Sequence, residues 1–201
     1  MTIANVLIYA GLAMVYGAIA TGCVLGVMRL IPRAVPPRTR VSLVPFVFTT
    51  LTFIFLTQHP FPDPARLICP VPGTRPQLHV FYYLKEIGRL WRAGDGLSDW
   101  IFNRALAAAA MNFLLCAVIG LTLAPHPVRL PAVLLLGLAL TLAVEFTQLT
   151  GTWGLYPCAY RQFDVDDLIM NALGLPSGFV LARYIQRRVQ RKRQSSTPNR
   201  T

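Results

Sequence analysis

The chain has 201 residues, of which 54% are hydrophobic and 13% charged; 19 Lys and Arg against 8 Asp and Glu give a formal net charge of +11. A typical globular domain carries about 25% charged residues, so an ordinary soluble enzyme is excluded. The apolar content excludes intrinsic disorder, and four scattered Cys are too few for a disulfide scaffold. A soluble nucleic-acid binder spreads its basic residues over a folded surface. Here apolar runs separate them into clusters, the pattern of an all-α polytopic membrane protein.

A span needs roughly 20 apolar residues to cross about 30 Å of hydrocarbon, and five stretches meet or approach that length. The first covers residues 3–30 and has no charged side chain before Arg29. The second, 41–57, is the shortest and holds Pro45. The third, fourth and fifth cover 100–124, 130–149 and 165–184. Backbone groups in lipid must be paired internally and no barrel-type alternation is present, so all five are read as helices in one bundle. Ala18-Ile19-Ala20 resembles a signal-peptide cleavage site, but the run lacks a basic n-region and exceeds the about 7–15 residues of an h-region. In the same helix Ala18, Gly22 and Gly26 recur every fourth residue, a spacing suited to close helix packing, although membrane helices also tolerate such glycines without it.

Charge sets the expected orientation. Arg29, Arg33, Arg38 and Arg40 crowd the link after the first span, Arg129 precedes the fourth, and Arg183, Arg187, Arg188, Arg191, Lys192, Arg193 and Arg200 follow the start of the last exit. These twelve are assigned to the cytoplasm, which places the N-terminus outside and the C-terminus inside. Dropping the weak second span would put one of the two clusters on the wrong side, so cluster parity argues for keeping it. The expected organisation is a transmembrane domain over 1–186, including an outer link at 58–99, and a basic cytoplasmic tail over 187–201. The tail, RYIQRRVQRKRQ from Arg183 on, suits anionic lipid at the inner leaflet. Topology accounts for it without nucleic acid.

Pro60, Pro62, Pro64, Pro70, Pro72 and Pro76 exclude regular structure from the first half of the link. In its second half Phe81, Leu84, Gly88 and Trp91 form one stripe, with Lys85, Glu86, Arg89 and Arg92 elsewhere. That is an amphipathic helix over 79–92, suited either to the outer leaflet or to packing on the protein's own loops. Cys69 and Cys158 both fall in outward links, where an oxidising exterior permits a bridge, with two free thiols as the alternative. No CxxC or His-x-x-x-His pattern occurs, so no metal site and no cofactor are expected.

The chemistry-bearing residues lie at the outer ends of the fourth and fifth spans. Thr141, Glu145 and Gln148 share one helical face within an apolar run. A charged carboxylate at mid-bilayer costs about 2.5–3.5 kcal/mol on insertion scales, so Glu145 requires a partner, water or a proton. Asp164 stands where an N-cap belongs, with Asp166 and Asp167 in the first turn, where the helix dipole favours acids. Capping does not demand three acids beside Arg161, nor Asn171 one turn beyond Asp167. Asn112 is a further polar group inside the third span, and Gly174 and Gly178 extend the Asn171 stripe as a flat packing surface.

These segments together resemble the VanZ-like membrane proteins. TLAVEFTQ (141–148) is similar to that family's segment bearing a Glu and a Gln, and RQFDVDDLIMNALGLPSG (161–178) to its R-x-F-D-x-D-D-x-x-x-N-x-x-G signature. NFLLCAVIG (112–120) is similar to its Asn-to-Gly helix and LVPF (43–46) to its short Pro-Phe element. The resemblance implies a small helical membrane protein of the bacterial cell envelope. Some members are linked to reduced glycopeptide susceptibility, notably to teicoplanin. It implies no settled chemistry and no catalytic residues.

Three functions compete at this point. One is non-catalytic binding of an amphiphilic or lipid-linked ligand, such as an envelope precursor or a lipoglycopeptide, with Arg161 on its anionic group. Glu145, Gln148, Asp164, Asp167 and Asn171 would then fix geometry, and the 79–92 helix would cover the site. The second is an intramembrane enzyme acting on a lipid or envelope intermediate through Glu145. The third is a proton-coupled carrier. The arrangement of these side chains discriminates among them.

Overall fold

A computed structural model of the chain describes residues 3–30, 37–69 and 74–195. Arg33, Pro70, Pro72 and Arg200 lie outside the described residues, as do the side chains of Arg38 and Arg40. In chain order the helices are α1 (Ile3–Leu30), α2 (Pro37–Gln58), α3 (Tyr82–Ala93), α4 (Leu97–Phe102), α5 (Arg104–Leu123), α6 (Leu130–Leu149), α7 (Gly151–Gly154) and α8 (Val165–Ser195). Five of them, α1, α2, α5, α6 and α8, are long and apolar enough to cross a membrane. The weak second span is therefore a full helix despite Pro45.

Three boundaries differ from expectation. The third span starts at Arg104, not at residue 100, because Asn103 is extended (φ −64°, ψ 123°) and its side-chain oxygen accepts from the N–H groups of Ala105 and Leu106. That cap separates α4 from α5. At the other end α8 passes through residues 186 and 187 without a break and reaches Ser195, so the exposed basic run continues the helix. The helix expected at 79–92 forms over Tyr82–Ala93.

Lipid is as apolar as leucine, so these helices are held by packing and interhelical hydrogen bonds more than by water exclusion. Val15, Ile19, Leu114, Leu135 and Leu181 are accordingly exposed around the outside. Phe53, Cys116, Ile119, Leu123, Val133, Val144, Leu175 and Phe179 form the core where α2, α5, α6 and α8 meet. Glycine sets the α5–α8 distance. A Cβ at Gly174 would strike the Phe113 carbonyl, one at Gly178 the Ala117 carbonyl, and one at Gly120 the Leu175 carbonyl.

A Cβ added at Gly22 or Gly26 would meet no other described atom within 4 Å. The face of α1 that meets α2 carries Ala13, Gly17 and Thr21, all buried, with Gly17 set against Thr52. This is a second stripe of small residues at the same four-residue spacing, rotated from the first by about 100° per residue step.

Alternation of the five helices brings the start of α1, the end of α2, the start of α5, the end of α6 and the start of α8 to one end of the bundle. There the long link is sewn onto the connection between α6 and α8. A disulfide joins Cys69 to Cys158. The Thr74 hydroxyl donates to the Ala159 carbonyl (2.8 Å), the Gln162 amide to the Arg75 carbonyl (2.8 Å), and Gln77 and Asp164 form an isolated parallel bridge. The Asp166 carboxylate, itself buried, accepts from the N–H groups of Phe81 and Tyr83 and so caps α3 from a different helix.

With α3 held this way, Leu90 is buried, while Leu84 and Trp91 of the expected stripe are exposed, Trp91 by 78%. The chain reverses after α6 through α7, where Gly151, Thr152, Trp153 and Gly154 all have positive φ (59°, 57°, 60° and 84°). It is one left-handed turn, natural for glycine and costing about 1–2 kcal/mol at each of the other two residues.

Candidate binding site

A cavity of about 370 Å³ opens at the link end of the bundle. Each of the five spans contributes to its wall. Glu145 and Gln148 come from α6, Asp167 and Asn171 from α8, Asn112 with Ala108, Met111 and Leu115 from α5, Leu56 and Thr57 from α2, and Tyr9 from α1. His59, Pro60 and Arg161 close it from the adjoining links. Six of the polar residues singled out in the sequence, Glu145, Gln148, Arg161, Asp167, Asn171 and Asn112, therefore converge on one space. Asp164 is not on its wall, but its backbone N–H donates to Glu145 Oε2 at 3.1 Å.

The local sequence explains these placements. The 141/145/148 spacing turns Thr141, Glu145 and Gln148 inward on one face, and all three are buried; Glu145 is only 1% exposed. Asn171 is spent on structure: its amide donates to Thr141 Oγ1 (3.3 Å) and its oxygen accepts from the Cys116 thiol (3.3 Å), tying α8 to α6 and α5. Gln148 donates to the Thr57 carbonyl (3.0 Å) and Gln58 to the Val144 carbonyl (3.4 Å), fastening the end of α2 to α6.

The three acids at the start of α8 have three different jobs. Asp164 caps its own helix, accepting from the Asp166 N–H (2.9 Å), and also holds Gln77 (3.1 Å). Burial pushes its carboxyl above the ordinary aspartate range, against the pull of the Asp166 N–H. Asp166 caps α3. Asp167 faces the cavity, where Asn112 lies against it.

Arg161 donates to the His59 carbonyl (2.8 Å) at the rim. Among the described residues it makes no ion pair within 4.0 Å with Glu145, Asp164 or Asp167; the ion pairs are Arg66–Asp63, Arg89–Glu86 and Arg89–Asp95. The guanidinium and the two cavity carboxylates thus face one another across open space, near enough for their charges to interact. Tyr160, beside Arg161, donates to the Gln58 carbonyl (2.9 Å), and burial pushes its phenol up.

Sequence reasoning missed Tyr9 and His59. Their rings lie 5.0 Å apart between centroids and tilted by 46°, Phe61 sits edge-on 5.7 Å from His59, and His59 Nδ1 is enclosed without a hydrogen-bond partner among the described residues. The only signal was the position of His59 directly after a span.

A larger groove, about 640 Å³, runs between α3, α4 and the start of α5. Arg89 is paired there with Glu86 and Asp95, and Glu86 accepts from Asn103 (3.0 Å) and Arg89 (3.1 Å), which together hold its carboxyl below the usual glutamate range. It is an exposed, internally paired surface, so the smaller cavity is the candidate site. No residue of α3 is on the wall of that cavity; α3 lines the groove instead, with its start held by Asp166.

A family model described as VanZ/LLP1 matches residues 42–186. The chain belongs to this family. No curated protein and no solved structure matches it. The match takes in every cavity-lining residue of this VanZ/LLP1 protein except Tyr9, and both cysteines of the disulfide.

Proposed function

We propose that this VanZ/LLP1 protein binds the polar head of an amphiphilic or lipid-linked ligand in the cavity at the outer leaflet. The observation that carries the reading is the two-faced wall. Glu145, Asp167, Arg161, Asn112 and Gln148 supply directional polar groups, while Tyr9, Leu56, Met111 and Leu115 supply an apolar side. Small-molecule sites have this composition, a few placed polar groups on a mostly apolar lining. The mouth points the same way. α1 packs on α2 and touches α5 little, and Met111 on the α5 side is 47% exposed, so the polar interior opens towards lipid between α1 and α5. A ligand could leave its chains in the bilayer while its head reaches Arg161.

The outward assignment follows from the density of basic residues at the other end. In a cell envelope, occupancy by an acyl-anchored glycopeptide, or by the precursor it targets, would alter teicoplanin susceptibility.

The test is capture. Full-length protein extracted in an uncharged detergent is expected to retain a lipid-sized adduct in native mass spectrometry, and Arg161→Ala to lose it at least about tenfold. The same variant is expected to remove any teicoplanin phenotype that the wild-type chain confers. Equal retention by both proteins overturns the reading.

A further inference from the structure

The charge balance of the cavity narrows the ligand class, on the footing that the amphiphile-binding reading holds. Two carboxylates and one guanidinium face the same space. Glu145 Oε2 is occupied by the Asp164 N–H, and this is the carboxylate's sole hydrogen bond among the described residues; no cation lies within 4.0 Å of either acid. Arg89 and Arg104 line the outer groove instead, and Lys192 and Arg193 lie at the far end of α8. A buried carboxylate without a cation is costly, and two facing one another repel. Arg161 can satisfy only part of this. It is committed at one nitrogen to the His59 carbonyl and stands off from both acids.

The wall therefore has one cationic position filled at the rim and a second left open between Glu145 and Asp167. A glycerol, carboxylate or simple phosphate head would meet Arg161 but leave that inner position empty. A head with an anionic group and a protonated amine separated by a short spacer fills both. The apolar side of Tyr9, Leu56 and Met111 then takes the first methylenes of its chains. We infer that the cavity selects an amine-bearing zwitterionic amphiphile of the phosphoethanolamine type, with the ammonium between Glu145 and Asp167 and the phosphate on Arg161.

The test uses the full chain reconstituted in vesicles of equimolar dioleoyl-phosphatidylethanolamine, its N-acetylated derivative and dioleoyl-phosphatidylglycerol, with the retained lipid identified by native mass spectrometry. The amine form is expected to be retained at least about tenfold over both others. Asp167→Asn is expected to bring retention of the free amine down to that of its acetylated form. Glu145→Gln, which keeps shape and the Asp164 contact, serves as the second variant should Asp167→Asn not fold. Equal retention of the free amine and its acetylated form overturns the amine assignment and leaves amphiphile binding standing. Retention of none of the three lipids overturns both.

Discussion

The two halves of the α5–α8 pair are built from the same two helices and behave in opposite ways. Towards the basic end, Gly120, Gly174 and Gly178 let backbone meet backbone. Towards the link end, Asn112 and Asp167 lie against one another on the wall of the cavity. Polar side chains in lipid must find partners, and these two find each other. A membrane bundle with little hydrophobic driving force between its helices can therefore be shut by small residues at one end and carry a polar-lined cavity at the other.

The largest effect expected from disturbing this contrast is at the closed half. Gly178→Val drives two methyl groups at the Ala117 carbonyl, where backbone cannot yield cheaply. Overpacking in a well-packed core typically costs 1–3 kcal/mol, occasionally more, and about 3 kcal/mol or more is expected here. Loss of monodisperse protein in detergent, or a large fall in Tm, is the readout; a Tm within a degree of wild type refutes the seam. An intermediate effect is expected where the open half is sewn to the link. Asp166→Ala leaves two N–H groups at the start of α3 without their carboxylate. A lost cap costs about 0.5–2 kcal/mol, so hydrogen exchange over residues 82–93 should accelerate about two- to thirty-fold while α5 and α8 exchange as before. The smallest effect is expected at Gly22. A Cβ there would meet no other described atom within 4 Å, so Gly22→Leu should shift stability by less than about 0.5 kcal/mol. A marked loss, or a change in oligomeric state, would show that this stripe has a partner.

Much of the site was legible because burying a carboxylate or an amide in an apolar run is costly enough to stand out in a linear sequence. Glu145, Gln148, Asp167 and Asn112 announced themselves in this way, and the helix period put Glu145 and Gln148 on one face. The α1 glycines were not legible for the complementary reason. Ala13, Gly17 and Thr21 repeat at the same interval as Ala18, Gly22 and Gly26, and periodicity cannot say which of two equally spaced stripes meets a neighbour. Tyr9 and His59 escaped notice because aromatic rings near a span boundary are ordinary interfacial residues.

The sequence by itself determined the number of spans, the weak second helix included, and the presence of a costly polar set at one end. Hydropathy and charge act residue by residue and need no fold to be read. The division of labour within that set was decided only by the tertiary structure. Asp164, Asp166 and Asp167 are chemically alike and adjacent. One caps its own helix, one caps α3, and one faces the cavity, because the bridge at Gln77 and the disulfide to Cys69 bring a distant segment against that single turn. Which oxygen meets which N–H depends on where those distant atoms sit, and local propensity carries no information about that.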